Sequence, residues 1–379
     1  MFTAAQRRTH ENWLTELTAI PTAAGREGGV IAWIKHWVAR RKNLKLRRDK
    51  AGNLFITRTG RRAGKPIFIT GHLDHPAFVV RGVRDRRTLE LEFRGGVHDP
   101  YFDNAKIEIY DADDSPHRAV VTELNPKAKP FKRATARLSR ATDALAPGDI
   151  GRWVFPGKLP RVTKGMFHTY CCDDLAAVAA ALAAMDALRK KRTTTNVGLL
   201  LTRAEEVGFI GTLAACRARS IPNTARLLCL ENSRSFPESP IGGGPILRVG
   251  DRISVFSPSL TNRISALLME HEKKHPDFKW QRKLMPGGAC EATAFSTFGY
   301  ESTCICFALG NYHNMSDVDA VLAGKRPAKV APECISIDDF HHMVEMLILV
   351  AAKLDSARIR PLKDRLDKLL DDHGHVLDR

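Results

Sequence analysis

Four short apolar runs constrain this chain more than any other feature: Ile67-Phe68-Ile69-Thr70, Val197 to Thr202, Arg226 to Leu230 and Thr303 to Leu309. Nearly every position in them is apolar, so strands built from them need cover on both faces, as in parallel sheets flanked by helices. Helical patterns separate them, from Asp174 to Arg192, Gly208 to Arg219, near Ile264 to His275, and Asp338 to Asp355. At the start, Arg8 to Ala39 reads as two helices broken at Pro21-Thr22-Ala23-Ala24-Gly25, followed by short β runs at Leu44 to Leu46 and Asn53 to Thr57. The alternation predicts an α/β fold with a mixed, mostly parallel sheet sandwiched by helices. Ligands in such sheets bind beyond the carboxyl ends of the strands.

Between Ala77 and about Lys164 the pattern changes. Short alternating segments (Phe78 to Val80, Leu89 to Phe93, Ile107 to Tyr110, Ala119 to Val121, Arg133 to Ser139, Gly151 to Phe155) are punctuated by Gly, Pro and Asp, with no helical period. This predicts a small all-β domain, residues 77–165, inserted into a larger unit made of residues 1–76 and 166–379.

With 379 residues, 44% of them hydrophobic, the chain has material for a large core and is not of disordered composition. Lys and Arg outnumber Asp and Glu by 59 to 42, a net charge of +17 that would suit an anionic partner. The basic clusters are scattered, at Arg40-Arg41-Lys42, Arg47-Arg48, Arg61-Arg62 and Lys190-Lys191-Arg192, without interleaved aromatics. That pattern reads as solvated surface charge and speaks against a nucleic-acid footprint. The alanine-rich stretch Leu175 to Met185 has eleven residues, short of the about 20 needed to span a bilayer, and MFTAAQRRTHENW carries no secretory pattern. No membrane partner and a cytoplasmic address are the expectations. Eight cysteines, none in paired CxxC spacing, read as reduced thiols, with Cys229, Cys304 and Cys306 as small core hydrophobes.

Metal-type residues recur where the apolar strands end: His72 and Asp74, Glu205 and Glu206, Glu231, and His313. Asp173-Asp174 stands just before the alanine-rich helix, where a carboxylate can also cap it. Singly each has a plain structural explanation. Together, two histidines and three carboxylates are what two hydrolytic metal ions need when one carboxylate bridges them, and a further carboxylate can take the proton of an attacking water. Glu205 beside Glu206 offers such a base next to a ligand.

The words GHLDH, CCDDL, TRAEEVGFIGT, LENS and NYHN resemble those of the di-zinc exopeptidase superfamily, most closely its glutamyl-aminopeptidase and tetrahedral-aminopeptidase family. Further similar words are LTAIPTAAGREG, DKAGNL, IGGGPI, PGGACEA and APECISIDD. A small β domain between the first metal histidine and the bridging aspartate, here between His72 and Asp173, is characteristic of that family. The resemblance implies that His72 and Glu231 hold one metal, Glu206 and His313 the other, and that Asp173 bridges. It implies a cis Asp173-Asp174 peptide, Asp74 as the carboxylate orienting His72, and Glu205 as general base toward a metal-bridging water. The implied cofactors are two divalent ions, zinc first, with cobalt or manganese able to use the same ligands. The implied reaction is removal of N-terminal residues from short peptides, in a homo-oligomer built from dimers, the β domain serving dimerisation or substrate access.

Several positions depart from the family. His75 replaces a glutamate, Leu175 an arginine, Glu231 an aspartate, and Gly287-Gly288-Ala289-Cys290-Glu291 a Gly-Gly-Thr-Asp word. Gly288 and Glu291 are therefore candidate substrate contacts, and His75 is a candidate substrate contact, a support for the ligands or neither. The stretch from Asn314 to Lys329 is longer than in the family and reads as a lid or a disordered loop. Two other readings stay open: a di-zinc N-acyl amino acid deacylase or carboxypeptidase-like amidohydrolase, and a non-catalytic peptide-binding homologue.

Overall fold

The computed structural model describes residues 2–60, 63–190, 195–355 and 362–377. The Arg61-Arg62 pair and the end of the helix expected to reach Arg192 lie outside them. Helices α1 (Ala4–Ala19) and α2 (Gly28–Ala39) lead into strands β1 (Leu44–Arg48), β2 (Leu54–Arg58) and β3 (Ala63–His72). Six strands then close a barrel, in the order β4-β5-β8-β7-β6-β9: β4 (Ala77–Asp85), β5 (Thr88–Arg94), β6 (Lys106–Tyr110), β7 (Pro116–Asn125), β8 (Lys132–Leu138) and β9 (Ile150–Trp153). Phe78, Phe93, Phe102 and Trp153 fill it, the Phe78 ring centroid lying 4.9 Å from Phe93 and 4.8 Å from Trp153. Beyond the barrel come β10 (Arg161–Thr163), β11 (Met166–Thr169), α3 (Leu175–Lys190), β12 (Thr195–Thr202), α4 (Ile210–Arg217), β13 (Arg226–Arg234) and β14 (Ile246–Gly250). The chain continues with α5 (Pro258–Lys274), β15 (Gln281–Leu284), α6 (Glu291–Thr297), β16 (Glu301–Leu309), α7 (Val318–Leu322), β17 (Glu333–Ser336), α8 (Ile337–Lys353) and α9 (Leu362–His373).

The main sheet has eight strands, ordered β1-β2-β12-β3-β13-β16-β14-β15. Its centre, β12, β3, β13 and β16, is parallel, and β2 and β14 join it antiparallel on either side. Successive side chains of a strand face opposite ways, which sorts the apolar runs into two cores. Ile67, Ile69, Leu199, Leu201, Leu228, Leu230, Ile305 and Phe307 pack with α1, α2, α3, α5 and α8. Phe68, Leu200, Leu227, Cys229, Cys304 and Cys306 pack on the other face with α4 and α6. Helix α3 lies within the first core, with all residues from Leu175 to Met185 at 0% exposure. A helix apolar all round has to be buried, and alanine lets α1 and α8 come close to it. The cysteines all carry free thiols, seven of them buried.

Boundaries differ from expectation where backbone conformation decides them. Helix α4 begins at Ile210, after Gly208 (φ +108) and a left-handed Phe209 (φ +60), and α5 begins at Pro258, where Ser257 caps Leu260 N–H. Strands β10, β11 and β17 form a small sheet of their own. Part of the segment from Asn314 to Lys329 packs on the barrel. The segment contains α7, and Met315, Val318 and Val321 join the barrel core, so the chain just after His313 is packed against the inserted domain.

Candidate metal centre

Because β12, β3, β13 and β16 run parallel side by side, their carboxyl ends share one edge, and the polar residues that end each apolar run meet there. His72 is the last residue of β3, Glu205 and Glu206 follow β12, Glu231 lies within β13, and His313 follows β16. Asp173 enters from the turn before α3.

Their ligating atoms face one another. One oxygen of Asp173 is 3.3 Å from His72 Nε2 and the other is 3.5 Å from His313 Nε2, so the carboxylate spans the two rings. Glu231 lies 3.8 Å from His72 Nε2, Glu205 3.9 Å from the same atom, and Glu206 3.4 Å from His313 Nε2. Metal–ligand bonds of about 2.0–2.1 Å at a tetrahedral ion put ligand atoms about 3.4 Å apart, close to these separations. Three trios can each surround an ion: His72, Asp173 and Glu231; Asp173, Glu206 and His313; and His72, Glu205 and Glu206. His72 Nε2, Asp173 Oδ1 and Glu206 Oε1 are buried with no hydrogen-bond partner. Such orphans are costly unless something with positive charge satisfies them, and the donor set, imidazole plus carboxylate, suits divalent zinc, cobalt or manganese.

The other ring nitrogens fix both tautomers. His313 Nδ1 is 2.7 Å from the Gly96 carbonyl, and His72 Nδ1 is 3.1 Å from the Asp74 carbonyl, directing each Nε2 inward. Tyr312 stacks on His313 at 3.7 Å between ring centroids. The Asp74 carboxylate is farther from His72, at 3.6 Å, and instead accepts from the backbone N–H groups of Glu205 and Glu206 at 2.9 and 3.0 Å. The carboxylate thus holds the backbone of the paired glutamates, while the Asp74 carbonyl faces the histidine.

Electrostatics reflect a site crowded with acid. Burial pushes Glu231 up to about 8, with Asp173 adding to it, and burial likewise raises Glu205 and Glu206, where neighbouring carboxylates reinforce the shift. Burial also opposes charge on Asp173, but the His313 and His72 rings that face it outweigh burial and hold that carboxylate below the usual range. A raised carboxyl favours its proton, so a divalent cation at Glu206 or Glu231 would compete with protons for the site.

Supporting residues come from several elements. The Asp173-Asp174 peptide is cis. Asp174 accepts from His72 N–H and from Asn232 Nδ2. Glu27, fully buried, accepts from Ala204 N–H and pairs with Arg203, and Asn53 accepts from Arg203 N–H while donating to the Gly211 carbonyl. The words GREG and DKAGNL therefore brace the loop that carries Glu205. A Cβ at Gly71 would lie 2.7 Å from Asp174 Oδ2, so Gly71→Ala is expected to cost about 1–3 kcal/mol, read by chemical denaturation.

Glu333 was missed by sequence reasoning, although it lies in the word APECISIDD. One of its oxygens accepts from Cys172 and Asp173 N–H at 2.7 and 3.0 Å, and the other from His313 N–H at 2.8 Å. It ties Asp173 to the histidine of the second trio. Glu333→Gln is expected to weaken metal binding about 10–100-fold, measured by chelator competition, because such outer partners hold ligands in place.

The candidate substrate contacts separate. Gly288 lines a cavity of about 200 Å³ that also contains Asp173, Glu205, Glu206, Glu231, Tyr312 and His313. His75 and Glu291 do not line it. His75 is buried behind Asp173, its Nδ1 at 2.7 Å from the Asp173 carbonyl and its Nε2 at 3.1 Å from Asn314 Oδ1, and burial, reinforced by His313, lowers it to about 4. Glu291, in the first turn of α6, turns into the core and accepts from the Thr212 hydroxyl.

The M42 glutamyl aminopeptidase family matches residues 52–325, most of the chain. The chain belongs to that family. It is a metallo-aminopeptidase, a hydrolase of peptide bonds. No curated protein sequence matches it. Among solved structures, the TET1 peptidase of Pyrococcus horikoshii, which assembles into a tetrahedron or a large octahedral shell, aligns at TM-score 0.72 with 16% identity, over 91% of this chain and 99% of that one. An aminopeptidase from the archaeon Desulfurococcus kamchatkensis aligns at TM-score 0.73 and 16% identity, over 94% and 99%. An M18-family aminopeptidase from Thermotoga maritima aligns at 0.64 and 14%, over 93% and 97%. At these identities the structures establish the shared fold. Among the described residues no helix is long and apolar enough to cross a membrane.

Proposed function

We propose that this protein is a two-metal aminopeptidase that removes N-terminal residues from short peptides. The observation that carries the reading is Asp173, whose two oxygens face His72 on one side and His313 on the other. His72, Asp173 and Glu231 would hold one ion, and Asp173, Glu206 and His313 the second, most simply zinc. When bound, such ions supply Lewis acidity to the scissile carbonyl and make water acidic enough to attack near neutral pH. Glu205 lies at the cavity wall beside the ligands without being needed in either trio. It takes the proton of the attacking water and returns it to the leaving amine, a transfer that needs a carboxylate whose proton affinity is raised, as burial does here. Asp74 keeps Glu205 and Glu206 at their stations through two backbone N–H groups.

By its resemblance to the family, the inserted barrel is assigned to dimerisation or substrate access in a cytoplasmic homo-oligomer. His75 and Glu291 act as supports behind the site and Gly288 as part of the substrate wall. The test is hydrolysis of amino-acid arylamides, their N-acetylated counterparts and short peptides by the metal-loaded protein. Cleavage of free-amino substrates supports the reading. Cleavage confined to N-acylated substrates would replace it with a deacylase, and no cleavage with metal bound would leave a peptide-binding homologue.

A further inference from the structure

Helix α9 presents an apolar stripe that nothing among the described residues covers. Leu366, Leu369 and Leu370 stand on one face of it, at the spacings of three and four residues that set side chains next to one another, and each is more than half exposed. Val376 and Leu377, in the turn that follows, are exposed as well. The side chains from Lys363 to His373 all face solvent. A helix of 12 residues is marginal in water by itself and owes its stability to packing of its apolar face. Leucines exposed side by side on such a helix mark an interaction surface.

The charges beside the stripe are ordered so that the helix complements its own reverse. Lys363 pairs with Asp367, and Lys368 with Asp372, each one turn apart within α9, whereas Arg365 has no ion pair among the described residues. At 3.6 residues per turn, Arg365 and Asp372 fall on the same flank of the leucines, two turns apart. A second α9 laid antiparallel on the first brings Arg365 beside the partner's Asp372 and Asp372 beside the partner's Arg365, with Leu366 against the partner's Leu369 in the seam between them. Such a contact is self-complementary, as a two-fold interface requires. A parallel pair would set Asp371 and Asp372 against their own copies, where like charges repel.

We propose that α9 docks antiparallel on the α9 of a second copy of this chain, joining two protomers at a contact separate from the inserted barrel. The contact is independent of the reaction at the metal centre. The test uses full-length, metal-loaded protein and a short bismaleimide cross-linker. An equal mixture of Arg365→Cys and Asp372→Cys chains is expected to give a covalent dimer on a denaturing gel, while either variant alone, like wild type, gives at least about tenfold less, because the antiparallel register faces residue 365 with residue 372. Adding Leu369→Glu to both chains should lower the yield at least about tenfold, since it places a charge in the apolar seam. Melting temperature and metal content should stay at wild-type values, the helix being exposed. No dimer in the mixture, equal dimer from Arg365→Cys alone, or a yield indifferent to Leu369→Glu would each overturn the proposal. A lowered melting temperature in Leu369→Glu without any cross-link would overturn it too, placing the stripe instead in the chain's own groove walled by Phe2, Trp13, Ile348 and Leu349.

Discussion

Glu205→Gln is expected to lower kcat by about 10²–10⁴-fold, the usual contribution of a positioned general base, while the protein keeps both metals and its fold. The amide preserves the shape of the side chain and removes only its ability to hold the transferred proton. Glu205 sits 3.9 Å from His72 Nε2, in the cavity, with its backbone N–H held by Asp74, so the substitution should disturb neither the loop nor the ligands. Metal analysis alongside kinetics separates this outcome from site collapse. A variant that retained near wild-type turnover would remove Glu205 from the mechanism.

Asp173→Asn should fail differently. Both oxygens of Asp173 are engaged, one toward each histidine, and an amide supplies a single weak oxygen ligand with no charge. Metal content is expected to fall from two per chain to one or none, with activity lost in parallel. Added zinc stabilises a chain that binds it by about 2.7 kcal/mol per site at a hundredfold excess over Kd, so the rise in melting temperature expected for wild type should shrink or vanish in Asp173→Asn. Retention of two ions would show that Asp173 does not bridge.

The sequence exposed most of this cluster because each candidate ligand follows, or lies near the end of, a strand buried on both faces, and in a parallel sheet those ends coincide. His72, Glu206, Glu231 and His313 were legible for that reason. Asp173 was legible from its place ahead of a helix too apolar to be exposed. Glu333 was not, since its partners are three backbone N–H groups from two distant loops, which leave no spacing to read. Strands β14, β15 and β17 are four or five residues long and carry too little pattern to be seen without their neighbours. The segment after His313 read as a lid or loose loop because its apolar residues, Met315, Val318 and Val321, complete the core of a barrel remote in sequence.

The most direct test of the account is an anomalous diffraction map of the zinc-loaded protein. Two zinc peaks are expected on either side of the Asp173 carboxylate, one against His72 and Glu231 and the other against Glu206 and His313. One peak, or two peaks that do not share Asp173, would contradict it.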